Sequence, residues 1–221
     1  MVSLNIRFGN YMETLGTILK ILVLIFSIVA HEVAHGFAAL RYGDRTALFQ
    51  GRLTMNPLKH LDPIGSVLLP ILLVISNSPI RFGWAKPVPV NPNNFHLGKR
   101  REATFIVAIA GIAVNILIAL VFGLLIRFGV VSITSPMFPI FILIVIMNIS
   151  LAIFNLIPVP PLDGSKVLFS ILPSRFEPYL HMLEQKAFFL VIVLIVILSI
   201  PRFDFLTPLI KGLFTLITGF Q

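Results

Sequence analysis

The sequence predicts an all-α, multi-pass membrane protein of about five transmembrane helices, with a re-entrant segment and short membrane-associated β-strands, folded as a single domain over residues 1–221. Three observations predict it. Hydrophobic residues make up 57% of the chain against about 45–50% in soluble domains, and charged residues only 12% against about 25%. The apolar residues gather into long runs, several near the roughly 20 residues that cross a hydrocarbon core. The 17 Lys and Arg against 9 Asp and Glu give a net charge of +8. In a multi-pass chain this excess records basic cytoplasmic loops, so the lipid bilayer rather than nucleic acid is the expected surroundings. With no cysteine, disulfides and thiolate metal sites are both excluded.

The first span covers residues 15–40, with Lys20 near enough to its start to snorkel outward. It carries the polar motif described below and has no small-residue cleavage signal behind it, which speaks against a removable leader. Residues 41–62 are polar; Gly43-Asp44 reads as a turn and the alternating Gly51-Arg52-Leu53-Thr54-Met55 as a short strand. The apolar run 63–80 is short and broken by Pro63, Gly65 and Pro70, as suits a segment that enters and returns. Gly83-Trp84-Ala85-Lys86-Pro87-Val88-Pro89-Val90-Asn91-Pro92 alternates with prolines and reads as an edge strand or extended segment. Spans follow at 103–126 and 137–157, and a shorter one at 187–200. The stretch 205–220, with Pro208 and Lys211, suits either a last short span or an interfacial helix.

Near the end of the first run stands His31-Glu32-Val33-Ala34-His35. Imidazoles at i and i+4 lie one above the other on a helix face, so both can reach one tetrahedral Zn²⁺. In such H-E-x-x-H sites the glutamate does not ligate; it takes a proton from water that the metal has acidified. Two imidazoles and a carboxylate among apolar residues are costly in lipid, which favours a functional over an accidental reading. A catalytic zinc ordinarily takes a third protein ligand. His60, His96 and His181 sit among loop charges and read as solvated. Asp163 follows the proline-rich break after the 137–157 span, and its Asp-Gly alone would be an ordinary turn.

Geometry supports Asp163. It meets His31 and His35 only if the ends of the first and of the 137–157 span share a membrane face, which requires the 63–80 run to re-enter rather than cross. Arg41, Arg45, Arg52, Lys59, Arg81, Lys86, Lys99, Arg100, Arg101, Lys166, Arg175 and Lys186 then fall on the motif side, leaving Arg7, Arg127 and Arg202 on the other. By the positive-inside rule the motif side faces the cytoplasm, in what is expected to be the cell membrane.

Taken together, His31-Glu32-Val33-Ala34-His35, the stretch from Asn155 to Gly164, Gly51-Arg52-Leu53-Thr54-Met55-Asn56-Pro57 and the proline-alternating segment resemble the site-2 protease family of intramembrane metalloproteases. The resemblance implies Zn²⁺ held by His31, His35 and Asp163, Glu32 as catalytic base, and Asn155 as a polar aid beside the scissile carbonyl. It also implies hydrolysis of peptide bonds in or near transmembrane segments of membrane-protein substrates. Relatives often have Pro after the glycine of the next core span; Gly111-Ile112-Ala113-Val114-Asn115 keeps the Gly and Asn but has Ile112 there. That pair reads equally as helix-packing glue. The chain resembles the minimal membrane-core type, without the inserted PDZ or appended CBS domains of many relatives. The two extended segments would either pair with an unwound substrate strand or form a structural hairpin.

Two other readings of the motif remain at this point. A membrane metal transporter or metal-binding protein would use intramembrane ligands but has no need of Glu32. A prenyl-protein protease shares H-E-x-x-H but draws its later ligand from Glu or His rather than Asp.

Overall fold

The computed structural model describes residues 2–62 and 86–220. The expected re-entrant run at 63–80 and Gly83-Trp84-Ala85 lie outside the described residues. The longer helices are α1 (Val2–Arg41), α2 (Arg100–Arg127), α3 (Phe138–Leu156), α4 (Asp163–Ile171), α5 (Glu177–Gln185), α6 (Ala187–Leu198) and α7 (Leu206–Thr218).

Among the described residues, three helices are long and apolar enough to cross a membrane: α1 over Leu15–Arg41, α2 and α3. At about 1.5 Å per residue they measure about 40, 42 and 28 Å, against a hydrocarbon core of about 30 Å. The chain is thus a helical, multi-pass membrane protein. The expected five spans are not reached among the described residues. The 12 residues of α6 give only about 18 Å, and a fourth span exists only if Ser174–Gln185 and Ala187–Leu198, bent by 77°, cross together. Arg127 donates from Nη1 to Leu216 O at 2.6 Å, and α7 packs against α2 and α3.

At the centre lies α2, in contact with α1, α3, α4 and α7. Ala103, Val107, Gly111, Asn115, Ala119 and Gly123, every fourth residue, form its buried stripe. Small side chains let helix backbones approach closely where apolar attraction between helices is absent. One core cluster joins Ala119, Ile126, Val145, Ile149 and Ile217. Another joins Ala39, Phe95, Ala103 and Val107 at the end of the bundle where α1 stops.

α1 stops at Gly43, whose φ of +103° is open to glycine at little cost, and Asp44 N–H closes the turn onto Ala39 O. Asp44 is buried and accepts from Thr46 N–H and Oγ1, Asn91 N–H and Asn94 Nδ2. Burial raises its pKa, but these hydrogen bonds outweigh it and hold the carboxyl below the ordinary range.

No strand occurs among the described residues, which corrects the expectation of short strands. Thr46–Phe49 is a single helical turn, Arg52 N–H returns to Ala47 O, and Pro57–His60 is a 3-10 turn capped by Asn56. The chain from Lys86 is extended, yet its hydrogen bonds run to side chains and turns. Lys86 N–H reaches His60 O, Arg52 Nη2 donates to the carbonyls of Lys86 and Pro87, and Asn91 N–H meets Asp44. His60 is buried, its Nε2 donating to Thr54 O, rather than solvated.

Candidate metal centre

α1 places His31 and His35 on the face that meets α2, both less than a tenth exposed. The third residue comes from the far end of α3. That helix ends at Leu156, two residues before Pro158, because the residue preceding a proline is pushed out of helical conformation. The chain turns through Pro160-Pro161 and α4 begins at Asp163. Gly164 makes the turn possible, since a Cβ there would collide with the backbone of Leu156 and Ile157.

The fold thus brings Asp163 to His31 and His35. His31 Nε2 lies 3.0 Å from Asp163 Oδ2, His35 Nε2 lies 3.1 Å from the same oxygen, and the two Nε2 atoms are 3.0 Å apart. Bonds of about 2.0–2.1 Å at tetrahedral angles place zinc ligand atoms about 3.3 Å apart, so the three atoms already form nearly the right triangle. Proton accounting tests the fit independently. His35 Nδ1 is 2.6 Å from Val107 O, and a carbonyl only accepts, so that nitrogen carries the proton. His31 Nδ1 is 3.0 Å from Asn115 Oδ1 and likewise donates. In neutral rings both Nε2 atoms then present lone pairs to a carboxylate. Three acceptors at such distances call for a shared cation, and two imidazoles with one carboxylate are a zinc donor set.

Glu32 is not one of the three triangle residues. It is half-buried, and its Oε2 accepts from Val88 N–H at 2.8 Å. Gly36, one turn further along α1, permits this contact: a Cβ there would lie 2.9 Å from Val88 Cγ1. Pro87 and Pro89 have no N–H, so Val88 is the sole donor among three consecutive residues. Asn155 donates from Nδ2 to Leu151 O one turn back and lines the same cavity. That cavity, about 490 Å³, holds Glu32, Val88, Asn155, Asp163 and Lys166 on its walls together with the histidines.

Sequence reasoning missed the backbone partners, Val107 O and Val88 N–H, which no residue type announces. It saw Gly111 without its use. A Cβ at Gly111 would sit 2.6 Å from both His31 Cε1 and His35 Nε2, so the glycine lets α2 lie directly on the two imidazoles. Gly111→Ala is expected to displace both rings and to lower bound zinc per chain at least tenfold, measured by elemental analysis after purification. Alanine otherwise favours a helix by about 0.5–1 kcal/mol, so helix content by circular dichroism should hold. Full zinc content in the variant would refute the close-packing account.

A candidate metal triad with a carboxylate on the same cavity, among helices long and apolar enough to cross a membrane, is the arrangement of a membrane metalloprotein. The comparisons narrow the class. Over 183 residues the chain is 37% identical to the Bacillus subtilis protein named "Putative zinc metalloprotease YwhC", covering 80% of this chain and 79% of that one. It is 30% identical over 193 residues to "Putative zinc metalloprotease Rip2" of Mycolicibacterium smegmatis, covering 85% and 70%. The profile of peptidase family M50 matches residues 128–199, the stretch that holds Asn155 and Asp163. No solved structure gives a significant match. The chain belongs to peptidase family M50, a family of zinc metalloproteases, and its cofactor is zinc.

Proposed function

We propose that the protein is an intramembrane zinc metalloprotease that hydrolyses peptide bonds in or near transmembrane segments of membrane-protein substrates. The observation that carries this reading is the opening of His31, His35, Asp163 and Glu32 into one cavity within a bundle of membrane-spanning helices. His31, His35 and Asp163 would hold the zinc, which when bound acidifies water and polarises a carbonyl. Glu32 serves as base. With Oε2 held by Val88 N–H, Oε1 is free to take a proton from the attacking water. The water oxygen bonds to the scissile carbon, the carbon–nitrogen bond breaks, and Glu32 returns its proton to the leaving nitrogen. Asn155, on the cavity wall, would hold the carbonyl oxygen.

A helical substrate hides its carbonyls in i to i+4 hydrogen bonds and must unwind before attack. Placing Gly or Pro near the scissile bond of a model transmembrane substrate should therefore raise the cleavage rate of the purified enzyme in detergent. These residues cost about 1 and 3 kcal/mol in a helix interior relative to Ala. A Leu-rich version should be cut slowly, and a zinc chelator should stop both. Equal rates would remove the unwinding step. No cleavage of any version by zinc-loaded enzyme would count against the protease reading and favour metal holding or transport.

The site end of the bundle is assigned to the cytoplasmic side of the cell membrane, because the basic residues collect there while Arg127 lies at the other end. The chain has no cysteine, so single replacements report cleanly. Cysteines at Lys59, Lys86 and Arg100 should react with an impermeant reagent only from the cytoplasm, and one at Val130 only from outside. The reverse pattern would invert the assignment.

A further inference from the structure

Four buried polar side chains connect α1, α2 and α3 behind the metal centre. His31 Nδ1 meets Asn115 Oδ1 at 3.0 Å, Asn115 Nδ2 meets Asn148 Oδ1 at 3.2 Å, and Asn148 Nδ2 meets Ser27 Oγ at 3.0 Å. Asn115 and Asn148 are completely buried, and Ser27 and His31 nearly so. Ser27 stands one helical turn before His31 on the same face of α1, so the chain of contacts leaves that helix and returns to it.

Each direction in the chain follows from a single backbone group. Asn148 Nδ2 also lies 2.9 Å from Ile144 O, and a carbonyl oxygen only accepts. The amide of Asn148 must therefore turn its nitrogen to Ile144 O and Ser27, leaving its oxygen toward Asn115. Asn115 must answer with its own nitrogen, which turns its oxygen to His31. Facing an acceptor, His31 Nδ1 must carry the ring proton, and Nε2 is left with its lone pair directed at Asp163 and His35.

We propose that Asn148, acting through Asn115 and anchored by Ile144 O and Ser27, is a positioning residue that fixes the Nδ1–H tautomer of His31 and so readies its Nε2 to ligate zinc. The inference rests on the zinc site proposed above. It assigns Asn115 a role beyond helix packing, and brings Asn148 and Ser27, which the metal centre itself does not touch, into its function. Outer partners that orient a ligating histidine typically account for about 10- to 100-fold in metal affinity.

Two measurements on the full chain in detergent test it. In zinc-free, ¹⁵N-histidine-labelled protein, His31, identified by its absence in His31→Gln, should show a protonated Nδ1 and an unprotonated Nε2; the opposite tautomer would overturn the proposal. Zinc affinity is then read by competition with a colorimetric chelator. Asn115→Leu and Asn148→Leu should each bind zinc about 10- to 100-fold more weakly. A purely structural role would lower the zinc-free melting temperature of the leucine variants and leave their zinc affinity alone, which would also overturn the proposal. If the leucine variants fail to fold, the wild-type tautomer still decides. Failure of the wild type to bind zinc at all would instead sink the metal site on which the inference rests.

Discussion

Asp163→Ala is expected to purify as a folded protein without zinc and without peptidase activity. Deleting the carboxylate leaves two imidazoles, and a closed donor set of three becomes an incomplete pair. His31→Ala and His35→Ala should behave alike, each with at most a small fraction of the zinc per chain seen in the wild type. Asp163→Ala separates this site from the prenyl-protein protease reading, in which the later ligand is a Glu or His. Full zinc and activity in Asp163→Ala would remove that residue from the centre despite its 3.0 and 3.1 Å contacts.

Glu32→Gln should give the complementary result, with zinc retained and turnover lost. The side chain ligates nothing in the triangle, and glutamine can still accept from Val88 N–H through its carbonyl oxygen. What disappears is the capacity to take up and return a proton, worth about 10²- to 10⁴-fold in rate. Single-turnover cleavage of a model substrate beside elemental analysis of the same sample would check both halves. Rapid cleavage by Glu32→Gln would require another base in the cavity.

H-E-x-x-H was legible because helical periodicity alone brings i and i+4 together. Asp163 was legible because a catalytic zinc needs a third ligand, and the topology that brings it to the two histidines also sorts the basic residues to one side. Gly111 and Asn115 were visible as a pair, but their contact with His31 depends on the depth to which α2 sinks against α1, and that is a property of packing. Asn148 and Ser27 were illegible as partners because their meeting follows from the relative rotation of three helices. Val107 O and Val88 N–H belong to the backbone, which every residue has. The strands expected around Gly51 and Val88 did not appear because side chains, above all Arg52 and Asp44, take hydrogen bonds that a ladder would have used. His60 was misjudged for a related reason: loop charges nearby in sequence say little about burial when the loop folds back on itself.

The third ligand stands 132 residues along the chain from the first. During synthesis α1 precedes α3 and α4, so its two imidazoles and carboxylate are made before their partner, and the set is completed only when α3 is in place and α4 has docked. A nascent or partly inserted chain accordingly has no competent centre. Metal capture, closing so large a loop, then acts as a fastening between the first and later parts of the polypeptide. Until Asp163 has been made and docked, the two imidazoles on α1 thus lack their third partner.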